Sequence, residues 1–187
     1  MKKVLLFFAL ITALAFGETQ KVEVGLFSPT QIGAPTDDVD GFRLSIIYTE
    51  NKNVSGFDWT WIASKTTGTF DGFKLGGFYN SLEKGGNVNQ FLSLFTDIKG
   101  NVQIKQVGVG ISMVEKAEGF RALNFVNYAG SMKGTDIGAI NYANHIEGLQ
   151  IGIFNYALHL DGFQVGLINY AKNSSIFPVL PFFNKAE

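Results

Sequence analysis

The sequence predicts an all-β fold, an antiparallel β-meander closing into a small barrel of about 8–12 strands. A β-solenoid of 14-residue repeats is the alternative. Three observations carry this reading. A 14-residue unit recurs, as Gly134-Thr135-Asp136-Ile137-Gly138-Ala139-Ile140-Asn141-Tyr142-Ala143, again from Gly148 to Ala157 and again from Gly162 to Ala171. Within each unit apolar and polar residues alternate with the period of a strand. The composition holds 22 Gly, 18 Phe and 4 Pro in 187 residues. That is too much glycine for a helical bundle, and glycine without a three-residue period is not collagen.

Looser copies of the unit begin at Gly41, Gly56, Gly72 and Gly119, with degenerate segments at Val88–Ile98 and Val102–Met113. With Val22–Phe27 and the C-terminal tail, roughly ten strand-like units fill the chain. The second, fourth and sixth positions are apolar, as in Phe42/Leu44/Ile46, Phe57/Trp59/Trp61 and Phe163/Val165/Leu167. The third is polar: Arg43, Asp58, Lys74, Asp136, Gln150 and Gln164. The fifth is small: Ser45, Thr60, Gly76, Gly138, Gly152 and Gly166. Such strands have one apolar face and one mixed face.

The links Val54-Ser55-Gly56-Phe57, Ile146-Glu147-Gly148-Leu149 and Leu160-Asp161-Gly162-Phe163 place a turn former and Gly between apolar residues, which reads as a hairpin. Three-residue loops keep the faces in phase. They set Tyr156 opposite Gly166 and Gly138, and Tyr142 and Tyr170 opposite Gly152, an aromatic over a cross-strand glycine each time. In the solenoid, Asn141, Asn155 and Asn169 would instead form a ladder. A nine-residue strand would span ~30 Å there and leave five residues to close each coil.

Residues 1–17 read as a secretory signal peptide. Lys2 and Lys3 precede Val4–Ala15, which is apolar except at Thr12, and Ala15-Phe16-Gly17 supplies small residues for cleavage. Residues 18–187 then form a single β-repeat domain, with clear repeats over 41–84 and 119–175. Removing two lysines leaves 13 basic and 16 acidic residues, a net charge of −3. This gives no field for nucleic acid. With no Cys there is no disulfide.

These features place the protein in the cell envelope, most simply the outer membrane, with the periplasm or secretion as alternatives. In the barrel the Phe/Trp/Leu/Ile face meets outer-membrane lipid. The Asp/Lys/Arg/Gln, Gly and Tyr face lines the interior, and Trp59, Trp61, Tyr48 and Tyr79 sit at the interfaces. In a soluble module the apolar face is the core. Pro178 and Pro181 suit an edge strand or a strand start.

The pattern Gly-apolar-Gln-apolar-Gly-apolar-apolar-Asn-Tyr-Ala resembles the secreted surface-repeat proteins of Gram-negative bacteria. So do the opening, Gly41–Tyr48 followed by Val54–Trp59, and the ending Phe177–Asn184. The resemblance spans most of residues 41–184. It implies an envelope or surface location and carries no reaction.

The chemistry sought in the sequence yields no catalytic residue, no cofactor-binding residue and no metal ligand, so the reading is non-enzymatic, with no cofactor and an unknown protein partner. His145 and His159 share one repeat position. They would lie ~30 Å apart in the meander and ~5 Å apart in the solenoid. Asp37-Asp38-Val39-Asp40-Gly41 lacks the spacing and distal Glu of a calcium loop. Gly108-Val109-Gly110 lacks the third glycine of a dinucleotide loop.

Overall fold

A computed structural model describes residues 19–186. The predicted signal peptide lies outside them. Eleven strands follow one another: β1 (Thr19–Phe27), β2 (Thr30–Gln31), β3 (Asp38–Asn51), β4 (Val54–Thr60), β5 (Ala63–Thr66), β6 (Phe70–Gly76), β7 (Tyr79–Leu82), β8 (Gly85–Phe91), β9 (Phe95–Val107), β10 (Ile111–Ala171) and β11 (Val179–Ala186).

β2 apart, pairing is parallel from β1 through β10. Gly41 sits beside Gly56, Gly56 beside Gly72, Gly72 beside Val88, Val88 beside Ile104, and Ile104 beside Gly119. Gly134, Gly148 and Gly162 continue the column, each against the backbone of the one before. These positions are 14 to 16 residues apart, and each step is one coil. The chain is a β-solenoid, so the alternative holds and the barrel does not form. The residues read as hairpins at 54–57, 146–149 and 160–163 are not turns. They lie inside β4 and β10.

The alternation itself shows why. It holds over seven residues and then breaks, because two neighbours both face outward. In the coil from 146, residues 146–152 form a long side, Ile153–Phe154 an exposed corner and 155–157 a short side. A second exposed corner, Leu158–His159, completes the 14-residue coil. Two breaks of parity per coil turn the chain back on itself. The ~30 Å strand that seemed too long for a coil is cut by a corner.

The Gly41-to-Gly162 column lets neighbouring coils close up. Gly148 has φ +139°, and a Cβ there would meet the Gly134 carbonyl oxygen at 2.0 Å. The turn-like glycines therefore mark a tight backbone crossing, not a reversal.

The predicted faces survive, but with a different purpose. Third-position residues Arg43, Asp58, Arg121, Asp136, Gln150 and Gln164 are fully buried inside the stack. Phe163, Val165 and Leu167 face outward. The apolar core fills the other part of the interior, through Val39, Val54, Phe70, Met132, Ile146 and Leu160 on the long side and Ala143, Ala157 and Ala171 on the short side.

The tyrosines are not inside. Tyr142 and Tyr156 stack at 4.7 Å, as do Tyr156 and Tyr170, on the outer surface of the short side. Tyr156 thus covers tyrosines of adjacent coils and not Gly166 or Gly138, while Gly152 lies over the Gly138 backbone.

Both ends are covered. β2 runs antiparallel to the outer edge of β1, pairing Gly25 with Gln31 and Phe27 with Thr30. β11 runs antiparallel along the last coil, pairing Gly166 with Phe182 and Asn169 with Leu180. Pro178 lies just before this edge strand and Pro181 within it, as edge prolines should.

We expect Gly148→Val to destabilise the protein by about 3 kcal/mol, combining backbone strain with overpacking. Glu147→Ala, on the outer surface next to it, should cost less than about 1 kcal/mol. Urea denaturation of the two variants measures the contrast.

Candidate functional site: a buried polar ladder behind an uncharged edge

The residues that the sequence offered as a polar lumen are packed inside the stack, beside the apolar core. Arg43 donates from Nη2 to the Asp58 carboxylate at 2.6 Å, and Lys74 Nζ reaches the same oxygen at 2.5 Å. Arg43 also donates to the Lys65 carbonyl and to Thr66 Oγ1. Farther along, Arg121 holds Asp136 through two bonds of 2.8 and 2.7 Å and donates to the Ser112 and Tyr128 carbonyls. The column from Arg43 to Asp58 to Lys74 alternates in charge, so each buried ion faces an opposite one in the next coil.

Burial opposes ionisation of Asp58, but Arg43 and Lys74 outweigh it and hold the carboxyl well below the usual carboxylate range. For Lys74, burial acts hardest against the ammonium. Asp58 favours the charge and Arg43 opposes it, and the balance brings Lys74 down to about 8. These groups pair across neighbouring coils and are enclosed, and so they hold the coils together.

The neutral coils use amides. Asn127 donates to Asn141, Asn141 to Asn155 and Asn155 to Asn169, at 2.8, 2.8 and 2.7 Å. Gln164 donates to Gln150 at 2.8 Å. The eighth-position asparagine, awkward on a lipid-facing strand, is buried because the corner at 153–154 moves it to the inner face. The small fifth position makes room for it, since a Cβ on Gly152 would lie 2.7 Å from Asn141 Nδ2.

His145 and His159 are brought together, with ring centroids 5.5 Å apart and planes at 90°. Both are exposed. Among the described residues, no group of three or more His, Asp or Glu is placed to hold a metal ion. The Asp37–Asp40 carboxylates are spread over separate partners. Asp37 accepts from the Ala34 amide, Asp38 from Asn53, and Asp40 pairs with Lys21. Gly108 and Gly110 fall at a corner of the coil, packed against Asn124 and the Leu94 carbonyl.

The outer surface is divided instead. One corner of every coil is apolar: Ile46–Ile47, Trp61–Ile62, Ile153–Phe154 and Leu167–Ile168 are examples. The long side beside it is apolar too, through Phe42, Phe57 and Phe73, whose rings stack at 5.8 and 5.5 Å, and through Trp59, Val165 and their equivalents. From the Phe42 coil to the Leu167 coil, Lys105 is the one exposed charged residue at this corner and in the two long-side columns beside it, those of Phe163 and Val165. The remaining outward column of the long side, next to the opposite corner, is charged through residues such as Glu118, Glu147 and Asp161. A depression on it is lined by Val109, Leu123, Phe125, Ile137, Ile151 and Ile153. The opposite corner carries Lys52, Lys84, Lys99, Glu115, Lys116 and Lys172, with Asp40, Asp71, Lys133, Glu147 and Asp161 beside it.

Between the two lies the short side. Its outer column is Glu50 and Lys65 in early coils and Tyr128, Tyr142, Tyr156 and Tyr170 in late ones. In the tyrosine column Tyr142 donates to Asn144 at the far corner, and at the start of the short side Tyr48 donates to Glu50. Sequence reasoning missed the uncharged corner as a surface. Its signal was present, in the paired apolar residues that interrupt the alternation. Comparison with protein families, with curated proteins and with solved structures finds no match to this chain.

Removing one member of a buried pair strands the other. Asp136→Ala should therefore cost about 3–5 kcal/mol in urea unfolding, because Arg121 stays buried without its carboxylate. Asp58 predicts the acid limb. Its folded-state pKa is depressed, so its contribution is complete above the unfolded value of ~3.9 and is lost as pH falls below that. The wild-type urea midpoint should drop steeply between about pH 5 and pH 2, and Asp58→Asn should start lower and fall less.

Proposed function

We propose that this chain is an exported, non-enzymatic β-repeat binding module of the cell envelope, and that its uncharged corner and long side are the binding surface. One observation carries the reading: from the Phe42 coil to the Leu167 coil the exposed charges, Lys105 apart, lie on the far corner, the long-side column next to it and the short side, leaving an extended apolar surface over the other corner and the rest of the long side. Apolar patches of this extent on soluble proteins mark interaction sites. The buried polar residues support the reading from the inside, because they are bound to one another and leave no reactive group facing solvent.

The signal-like residues 1–17 and the resemblance to secreted surface-repeat proteins favour the envelope. The solenoid favours a module that binds at its outer surface over a barrel that spans a membrane.

Mature protein should enhance the emission of an apolar fluorescent dye in a saturable way. Ile153→Glu combined with Leu167→Glu should reduce that enhancement severalfold, while Asn144→Glu at the charged corner leaves it unchanged. Equal emission from all three proteins would overturn the assignment of the surface.

A further inference from the structure

We infer that the occupant of the apolar surface is a neutral lipid interface, in which the solenoid lies with its axis in the membrane plane and its apolar corner immersed. This rests on the binding-module reading and names its partner.

The shape argues for a fluid partner. The apolar residues occupy much of the long side and the whole of the corner, which ends at Tyr79, Phe95, Ile140, Phe154 and Ile168. A second copy or a folded protein with a flat face would cover one of these sides and leave the rest in water. Acyl chains cover all of them together.

The long side offers about five residues from Phe163 to Leu167, roughly 16 Å at ~3.3 Å each. One leaflet provides about half of the ~30 Å hydrocarbon core. Along the axis, eight coil steps separate Gly41 from Gly162, about 38 Å at the ~4.8 Å strand spacing.

The order of chemistries matches depth in a membrane. Aliphatic and Phe residues come first, then Tyr with hydroxyls turned away from them, then Lys, Asp and Glu. Tyr and Trp favour the boundary because one end of each is apolar and the other polar. Trp59 and Trp61 stand within the immersed zone, edge to face at 6.1 Å.

The backbone is prepared for a dry environment. Along the axis its groups bond from coil to coil, which removes free donors from the immersed zone except at the two ends. Those ends are the places where strands were added. β2 covers the outer edge of β1 at Gly25 and Phe27, next to the apolar corner. At the other end β11 covers the Gly166 and Asn169 positions, and Pro181 stands between Leu180 and Phe182 there, where it has no N–H to leave unpaired. Phe182 is 71% exposed beside it.

Charge selects the lipid. The exposed ions, Lys105 apart, lie on the far corner, the long-side column next to it and the short side, with both signs and a net of −3 on the chain after residue 17. They supply no basic patch for anionic headgroups. Binding is therefore driven by area and insensitive to salt.

The test uses the mature chain with phosphatidylcholine vesicles in a flotation assay at 0.1 and 1 M NaCl, with Trp emission read in parallel. The protein should float at both salt concentrations with less than a twofold change in affinity. Emission from Trp59 and Trp61 should shift to the blue, and brominated acyl chains should quench it. Ile153→Glu with Leu167→Glu should bind at least tenfold more weakly. Asn144→Glu should bind like wild type, and thermal melts should show all variants folded.

Failure to float, with the apolar dye still bound by wild type, overturns the lipid assignment and leaves the binding module standing. The same holds if sedimentation shows the wild type self-associating through this surface without binding vesicles. Flotation lost at 1 M NaCl overturns the neutral-lipid assignment. If the dye does not distinguish the variants, the binding-module reading fails first.

Discussion

The structure depends on inward polar side chains finding partners inside the stack, chiefly in the neighbouring coil. A solenoid of 14 to 16 residues per coil is thin, and it has room for only a narrow apolar core. The rest of the interior holds ions and amides, and each would be costly if left alone. Arg43, Asp58 and Lys74, then Arg121 and Asp136, then the asparagine and glutamine ladders meet this requirement in sequence. Their hydrogen bonds run along the axis, in the same direction as the backbone bonds. Side chains and backbone therefore fix the same parallel register.

That arrangement inverts the usual disposition of polarity twice. The aliphatic core of Val39, Ile146 and Leu160 lies behind the charged corner. The buried amides of Gln150 and Asn155 lie behind the uncharged corner, so the most apolar outer surface is backed by the most polar interior. A rigid hydrogen-bonded ladder holds the coils in register there. The apolar side chains stay outside and available, where a conventional core would have drawn them in.

Much of this was legible in the repeat. The 14-residue period, the polar third position and the outward Phe/Trp/Ile columns all follow from the alternation of residues such as Phe163, Gln164 and Val165. The topology was not, for a local reason. Asp161-Gly162 satisfies the residue preferences of a hairpin. Only the coil beneath shows that Gly162 is there to let backbones meet. The deciding signal was the doublet Ile153–Phe154. Alternation continued through it puts Asn155 outside and predicts a long straight strand. A break there puts Asn155 inside and makes a corner. The tyrosine register failed for the same reason, since it assumed that chains reverse at each glycine. The ladder of Asn141, Asn155 and Asn169 is the feature that the solenoid alone explains.

The buried ladder also determines how the chain can change length. Gln150 and Gln164, like Asn141, Asn155 and Asn169, offer the same donor and acceptor to either neighbour. A neutral 14-residue unit can therefore be duplicated or lost between Gly148 and Ala171 and leave matching surfaces on both sides of the splice, whereas the unit from Gly134 carries the Asp136 that Arg121 requires. The coils of Arg43, Asp58 and Lys74 cannot be treated so. Removing the middle one would set two buried cations face to face, and copying it would oppose two carboxylates. Growth by tandem duplication is thus open near the C-terminal end and closed near the N-terminal one. The near-identity of the last three repeats, against the divergence of the earlier ones, follows that boundary.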